Sequence, residues 1–174
     1  QDIAWAKERT QRMVRMAVGS GFDVHALVPS PRGVIRLGGI DIAHDYGLEG
    51  HSDADVVLHA VVDAILGALG AGDIGTYFPP TDARWKGADS ARFIEEARQQ
   101  LEKRGGLLQH MDVTLLCEAP KIAPHREAMR AAIAQGLHVP TSRVSVKATT
   151  TEQLGFTGRR EGIATHAIAT ISLP

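Results

Sequence analysis

Apolar and polar residues alternate from Val18 to Leu27, the period of a half-buried strand, and Gly33 to Ala43 reads as β segments broken at Gly38 and Gly39. The period then changes. Leu58, Val62, Ile65, Leu66 and Leu69 recur at helical spacing behind His51-Ser52-Asp53-Ala54-Asp55. Ser52 is placed to cap this helix, and Asp55 three residues later supplies capping-box logic with a shorter acid. Gly67, Gly70 and Gly72 end it and lead into a loop over 73–82 that is punctuated by Gly75, Pro79 and Pro80. A second helix is predicted over Ser90 to Lys103, stopped by Gly105 and Gly106, and a strand over Met111 to Cys117. Ala123 to Gln135 forms a third helix bounded by Pro120 and Gly136, and Val144 to Ala148 and Gly162 to Ser172 supply the closing strands. Strands mixed with three helices predict an α+β or α/β layered fold whose helices cover one sheet face.

At 174 residues the chain suits one domain with a sizeable core. Its formal net charge of −1 offers no electrostatic basis for a nucleic-acid or anionic-membrane partner. A single cysteine, Cys117, excludes an intrachain disulfide framework and suits a reducing compartment. No apolar run reaches transmembrane length and no signal-peptide core is visible, so a soluble, cytoplasmic protein is expected. Residues 1–16 form a basic, helix-prone lead before a main domain over 17–174. This lead reads either as an N-terminal extension or tag scar, or as the remnant of an upstream domain.

The residues richest in chemistry are Asp23, His25 and His59. Positions 23 and 25 share one strand face, and a helical His59 can reach them. Two imidazoles and a carboxylate make an open zinc site with a fourth position free for water or a substrate oxygen. The plain alternative is a pair of histidines satisfying hydrogen bonds at the edge of the core. His51 and Ser52, at the expected helix start, sit where free amides and the helix dipole favour a phosphate.

Four separated stretches sharpen this reading: Gly-Phe-Asp-Val-His at 21–25, Gly-His-Ser-Asp-Ala-Asp-Val-Val-Leu-His at 50–59, Gly-Asp-Ile-Gly at 72–75 and Lys-Ala-Thr-Thr-Thr-Glu-Gln-Leu-Gly-Phe-Thr-Gly-Arg at 147–159. From about Arg15 to the C-terminus the chain resembles the 2-C-methyl-D-erythritol 2,4-cyclodiphosphate synthases. The resemblance implies a small mixed sheet and a homotrimer with active sites at subunit interfaces. It also implies cyclisation of 4-diphosphocytidyl-2-C-methyl-D-erythritol 2-phosphate with release of CMP, in the non-mevalonate isoprenoid pathway. Zinc would be held by Asp23, His25 and His59, and a second ion, magnesium or manganese, by Glu152. His51 and Thr150 match the transition-state contacts.

Substrate contacts would come from Asp23, His25, His51, Ser52, Asp73, Ile74, Gly75, Phe78, Thr81 and Asp82 on one side. On the other they would come from the cytosine-pocket segment with Cys117, Ala119, Lys121 and Ile122, and from Thr149, Thr150, Thr151, Glu152, Phe156 and Arg159. In some bacteria the synthase follows a cytidylyltransferase domain, of which Asp2 to Ala6 resembles the last helix; a plastid location is compatible as well. Two departures stand out: Pro80 replaces a common acid, and Arg160 replaces the middle glycine of Gly-Arg-Gly-Glu-Gly. Ordinary roles compete at several positions, with Glu152 as a solvated acid, Asp73 as a turn aspartate and Pro120 as a rigid corner. The residues alone also leave open a zinc-dependent phosphate hydrolase, or a noncatalytic module that binds a nucleotide or diphosphate.

Overall fold

The structure, a computed structural model, describes residues 14–174, so residues 1–13 of the lead lie outside it. Strand β1 (Arg15–Pro29) runs well past the predicted alternation at both ends. Its first residues, Arg15 and Met16, pair with Leu173 and Ser172 of β7 (Gly162–Leu173). Next come β2 (Val34–Leu37) and β3 (Ile40–Ala43), a hairpin turned at Gly38 and Gly39, both with positive φ as glycine permits, and then β4 (Tyr46–Leu48). Strands β5 (Leu107–Leu116) and β6 (Val144–Thr149) follow the second and third long helices. Among the described residues the main sheet has the order β4-β1-β7-β5-β6. All neighbours are antiparallel except β5 and β6, so the sheet is mixed and the fold α+β.

Helices α1 (Val56–Ala68), α3 (Ala91–Lys103) and α4 (Arg126–Leu137) pack on one face of that sheet, and a short α2 (Ile74–Tyr77) follows α1. Helix α4 starts three residues later than predicted, because Ala123–His125 form a 3₁₀ turn ahead of it. The start of α1 is a clearer correction. Asp55, not Ser52, is the N-cap: its fully buried carboxylate accepts from Val57 N (3.1 Å) and Leu58 N (3.0 Å). The same carboxylate accepts from Gly38 N (2.9 Å) and Gly39 N (2.7 Å), tying the β2–β3 turn to the helix. A carboxylate has acceptor sites for four amides and a hydroxyl does not, which is why the acid wins the cap. Burial pushes this carboxyl above the usual range, against the amides, which favour its charged form.

The predicted apolar stripe of α1 is also too narrow. Val56, Val57, Leu58, Ala60, Val61, Val62, Ala64, Ile65, Leu66 and Ala68 are all buried, and Leu69 is only partly so. His59 and Asp63, one turn apart, mark the helix edge that stays half-open.

What lets α1 lie so low on β1 is the absence of two side chains. A Cβ at Gly19 would fall 2.2 Å from Ala64 O and Ala68 N, and one at Gly21 would fall 1.9 Å from Ala60 O. The helix backbone thus rests directly on the strand that carries Asp23 and His25. Gly21→Ala should force the two apart and destabilise the fold by about 1–3 kcal/mol or more, read as a lowered thermal midpoint, with weakened metal uptake as His59 is lifted from the strand.

Candidate functional site

Asp23 and His25 project from β1 toward the helices, and His59 meets them from the open edge of α1. Asp23 Oδ2 lies 2.8 Å from His25 Nε2 and 3.1 Å from His59 Nδ1, and the two ring nitrogens are 3.3 Å apart. Ligand atoms around a tetrahedral zinc-sized ion, at bonds near 2.0–2.1 Å, stand about 3.3 Å from one another. The three donors therefore need to open by only a few tenths of an ångström to close on such an ion. His25 Nδ1 donates to Glu49 O at 2.9 Å, which leaves Nε2 as the ring's lone-pair atom. Gly50 allows this, since a Cβ there would press within 3.0 Å of the His25 ring. Burial alone would raise the Asp23 carboxyl, but hydrogen bonds and charge from the protonated rings of His25 and His59 outweigh it and hold it down at about 2. Burial works against a charged His25, yet Asp23 carries it above the ordinary histidine value of 6.5. Among the described residues this is the group of three side chains arranged to hold a metal ion.

A cavity of about 250 Å³ opens beside the trio, lined by His25, His51, Ser52, His59, Ile74, Gly75, Phe78, Pro80, Trp85 and Phe93. His51 and Ser52 reach it from the bend before the helix and not from its first turn, whose amides at Val57 and Leu58 are already filled by Asp55. The expected phosphate seat on the helix N-terminus is thereby removed. Ile74 and Gly75 are placed by Asp63, whose Oδ1 accepts from Ile74 N at 2.7 Å. Asp73 caps α2 through Oδ1, which takes both Thr76 N (3.0 Å) and Thr76 Oγ1 (3.1 Å). Thr81 and Asp82 stand outside this cavity: Thr81 is exposed, and Asp82 caps a 3₁₀ turn while gripping Arg84 at 2.6 Å. Pro80 sits in the cavity wall, so its departure from the common acid removes a negative charge from that wall. Phe78, Trp85 and Phe93 close the apolar floor, with Phe78 at 4.3 Å from Phe93 and 4.7 Å from Trp85 between ring centroids.

The remaining residues gather elsewhere. Cys117 to Ile122 leave the end of β5, and Thr149 to Arg159 leave the end of β6. Glu118 binds the two segments together, its Oε1 accepting from Thr151 N and Gln153 N at 3.2 Å each. Glu152 and Gln153 both take positive φ (53° and 64°), and consecutive strained residues of this kind mark loops held in shape for a purpose. Thr150 Oγ1 and Glu152 Oε1 are 3.3 Å apart, both exposed. Lys121 and Arg159 are exposed, Arg159 pairing with Glu161 at 3.2 Å, whereas Ile122 is in the core and offers a ligand only its backbone. Ala119 and Arg159 line a cavity of about 370 Å³ with Tyr46, Glu118 and Arg160. Phe156 is partly exposed beside it. Cys117 is buried, and burial, then the charge of Glu118, pushes its thiol up to about 11, which excludes a reactive thiolate at neutral pH. Across the sheet, Asp23 pairs with Thr165, Thr165 with Leu115, and Leu115 with Ala148. Three strand spacings separate the trio from the β6 end, about 14 Å, so one chain holds the two groups of candidate residues apart.

The YgbB family model matches residues 16–172. The chain belongs to the YgbB family. It is 59% identical over 165 residues to a bifunctional enzyme IspD/IspF of Sphingopyxis alaskensis, covering 95% of this chain and 42% of that protein. It thus spans less than half the length of that curated relative. Two solved structures are close to it throughout. IspF of Plasmodium falciparum in a CDP complex has a TM-score of 0.79 and 32% identity, covering 91% of this chain and 96% of the other. The 2C-methyl-D-erythritol 2,4-cyclodiphosphate synthase of Plasmodium vivax has a TM-score of 0.78 and 30% identity, covering 92% and 99%. Among the described residues no helix is long and apolar enough to cross a membrane.

Sequence reasoning passed over Glu118, Asp63 and the Glu49 carbonyl. Glu118 lay inside a recognised segment, and Asp63 one helical turn beyond His59 was a usable signal; nothing in the sequence marks a carbonyl. Because Glu49 occupies Nδ1, the proton that His25 gains on acidification goes to Nε2, the ligand atom. With zinc as the probe ion, affinity should therefore be full above the raised His25 value and fall as pH drops through it, a decline beginning above pH 6.5 and readable by chelator competition.

Proposed function

We propose that this chain cyclises 4-diphosphocytidyl-2-C-methyl-D-erythritol 2-phosphate to 2-C-methyl-D-erythritol 2,4-cyclodiphosphate with release of CMP, as a homotrimer. The observation that carries the reading is the convergence of Asp23, His25 and His59 beside a cavity lined by His51, Ser52, Ile74, Gly75 and Phe78, in a chain of this family. In the reaction an oxygen of the substrate's own 2-phosphate bonds to the phosphorus bearing the methylerythritol, and the bond from that phosphorus to CMP breaks. No protein nucleophile is needed, only bending of the substrate, alignment of attacking and leaving oxygens, and relief of phosphate charge. Zinc held by Asp23, His25 and His59 would supply Lewis acidity toward a phosphate oxygen, and a magnesium or manganese ion at Glu152 would neutralise the diphosphate. His51 and Thr150 donate to phosphoryl oxygens as charge builds, Ile74, Gly75 and Phe78 shape the methylerythritol pocket, and the Cys117–Ile122 segment takes the cytosine. The CDP named in the P. falciparum structure supports a cytidine ligand here. The bifunctional relatives support an upstream cytidylyltransferase partner domain.

The separation of the two groups of site residues supports a homotrimer in which each group is a half-site. The sheet face away from the helices exposes Met16, Val18, Phe22, Val24 and Ile168, an apolar patch on β1 and β7 that a second copy can cover. A head-to-tail ring brings the metal half-site of one copy against the β5–β6 half-site of the next, and closure of that ring by three copies completes every site.

Incubation with the substrate, with and without magnesium, followed by phosphorus NMR, should show metal-dependent CMP and cyclodiphosphate together. Binding without products, or free phosphate, sinks the assignment. Thr150→Ala should keep its zinc and slow CMP release about 10²-fold, whereas His59→Ala should lose zinc and activity at once. Light scattering should give three times the 18.6 kDa chain mass, and Phe22→Asp should dissociate the ring and abolish turnover while zinc still binds.

A further inference from the structure

His59 reaches the cluster with Nδ1, and its Nε2 points the other way, 2.9 Å from Ser90 Oγ and 3.0 Å from Ser52 Oγ. Ser90 is fully buried at the start of α3. Its hydroxyl hydrogen is already committed: Ser90 Oγ donates to Asp53 Oδ1 in a very short bond, and Ser90 N donates to Asp53 Oδ2 at 2.8 Å. Since a carboxylate only accepts, the hydroxyl hydrogen points to Asp53 and a lone pair points to His59. Nε2 then carries the imidazole hydrogen, and Nδ1 is left with the lone pair that faces Asp23 and His25.

We propose that Asp53 and Ser90 form a relay behind His59 that selects its metal-binding tautomer and strengthens Nδ1 as a ligand. Both are positioning residues, and the proposal rests on the metal reading of the trio. The surroundings are built to hold the relay still. Asp53 Oδ1 also accepts from Asp55 N at 3.1 Å, Asp53 N donates to Ala88 O at 3.0 Å, and Gly87 N donates to His51 O at 2.9 Å. The segment before α3 is thus stitched to the segment before α1. Ser52 differs in kind. It is half-buried in the cavity wall, its oxygen accepts from Ala54 N at a long 3.4 Å and lies 3.0 Å from His59 Nε2, and no carboxylate fixes its hydroxyl. Ser52 can therefore turn toward a ligand while Ser90 keeps hold of the histidine, a division that separates substrate contact from metal retention within 3.0 Å of one nitrogen.

The test is zinc affinity of the purified chain by chelator competition, with the visible spectrum of the cobalt-substituted protein as a second readout. Ser90→Ala and Asp53→Asn should each weaken zinc about 10–100-fold and alter the cobalt bands, with the circular dichroism of the metal-free protein unchanged. Ser90→Thr, which keeps the hydroxyl, should restore most of the affinity, and Ser52→Ala should cost less than Ser90→Ala. Wild-type affinity in both Ser90→Ala and Asp53→Asn overturns the relay, as does a Ser90→Thr protein that folds but binds as weakly as Ser90→Ala. Absence of zinc binding by the unaltered chain would overturn the metal reading and the relay together, so the two failures are distinguishable.

Discussion

Everything in this molecule depends on how closely helix α1 can lie on strand β1. Gly19 and Gly21 leave no Cβ between the two backbones, and the contact carries His59 down to the level of Asp23 and His25. The buried Asp55 carboxylate secures the other end of the same helix by joining its first turn to the β2–β3 turn. A polar edge on an otherwise buried helix is then free to serve chemistry. His59 uses it to complete the group that could hold a metal ion, and Asp63 for the segment that shapes the adjoining cavity.

The electrostatics of the centre follow from this geometry. Hydrogen bonds behind His25 and His59 aim two ring lone pairs at one carboxylate oxygen, an arrangement that repels itself until a proton or a cation enters. Asp23, held at about 2 by its two neighbours, stays charged at any physiological pH and keeps the centre attractive to cations. Hydrophobic burial supplies the scaffold, and the polar atoms are disposed so that a cation relieves what the fold has brought together.

The region at the ends of β5 and β6 shows a different physical device. Its loop after β6 holds Glu152 and Gln153 in left-handed backbone that costs free energy at non-glycine residues, and two amides donated to Glu118 sustain it. Arg160 also takes positive φ (59°) where the family pattern places glycine, so this chain carries a strain of roughly 1–2 kcal/mol that a glycine would not. That cation adds positive charge to the cavity lined by Arg159, while Pro80 removes negative charge from the wall of the other. Both departures make the surroundings of the site more favourable to anions.

The strands, the glycine turn of the β2–β3 hairpin and the three long helices were legible in the chain because alternation, helical spacing and turn residues are local properties. The Asp-His-His trio was legible for a related reason, since Asp23 and His25 share a strand face by period and His59 lies on a recognisable helix. The start of α1 was misplaced because capping is decided by what else the capping group can bind: Ser52 fits the local rule, but only Asp55 also satisfies two amides from a distant turn. Likewise nothing in the spacing joins Asp53 to Ser90, or Glu118 to Thr151 and Gln153. Periodicity determined which face of each element is apolar and which residues one element can present together. Tertiary packing decided which elements meet, which hydrogen-bond partners the two histidines find, and that the trio and the β6-end loop stand three strands apart, because those outcomes depend on contacts between residues that the local chain cannot bring together.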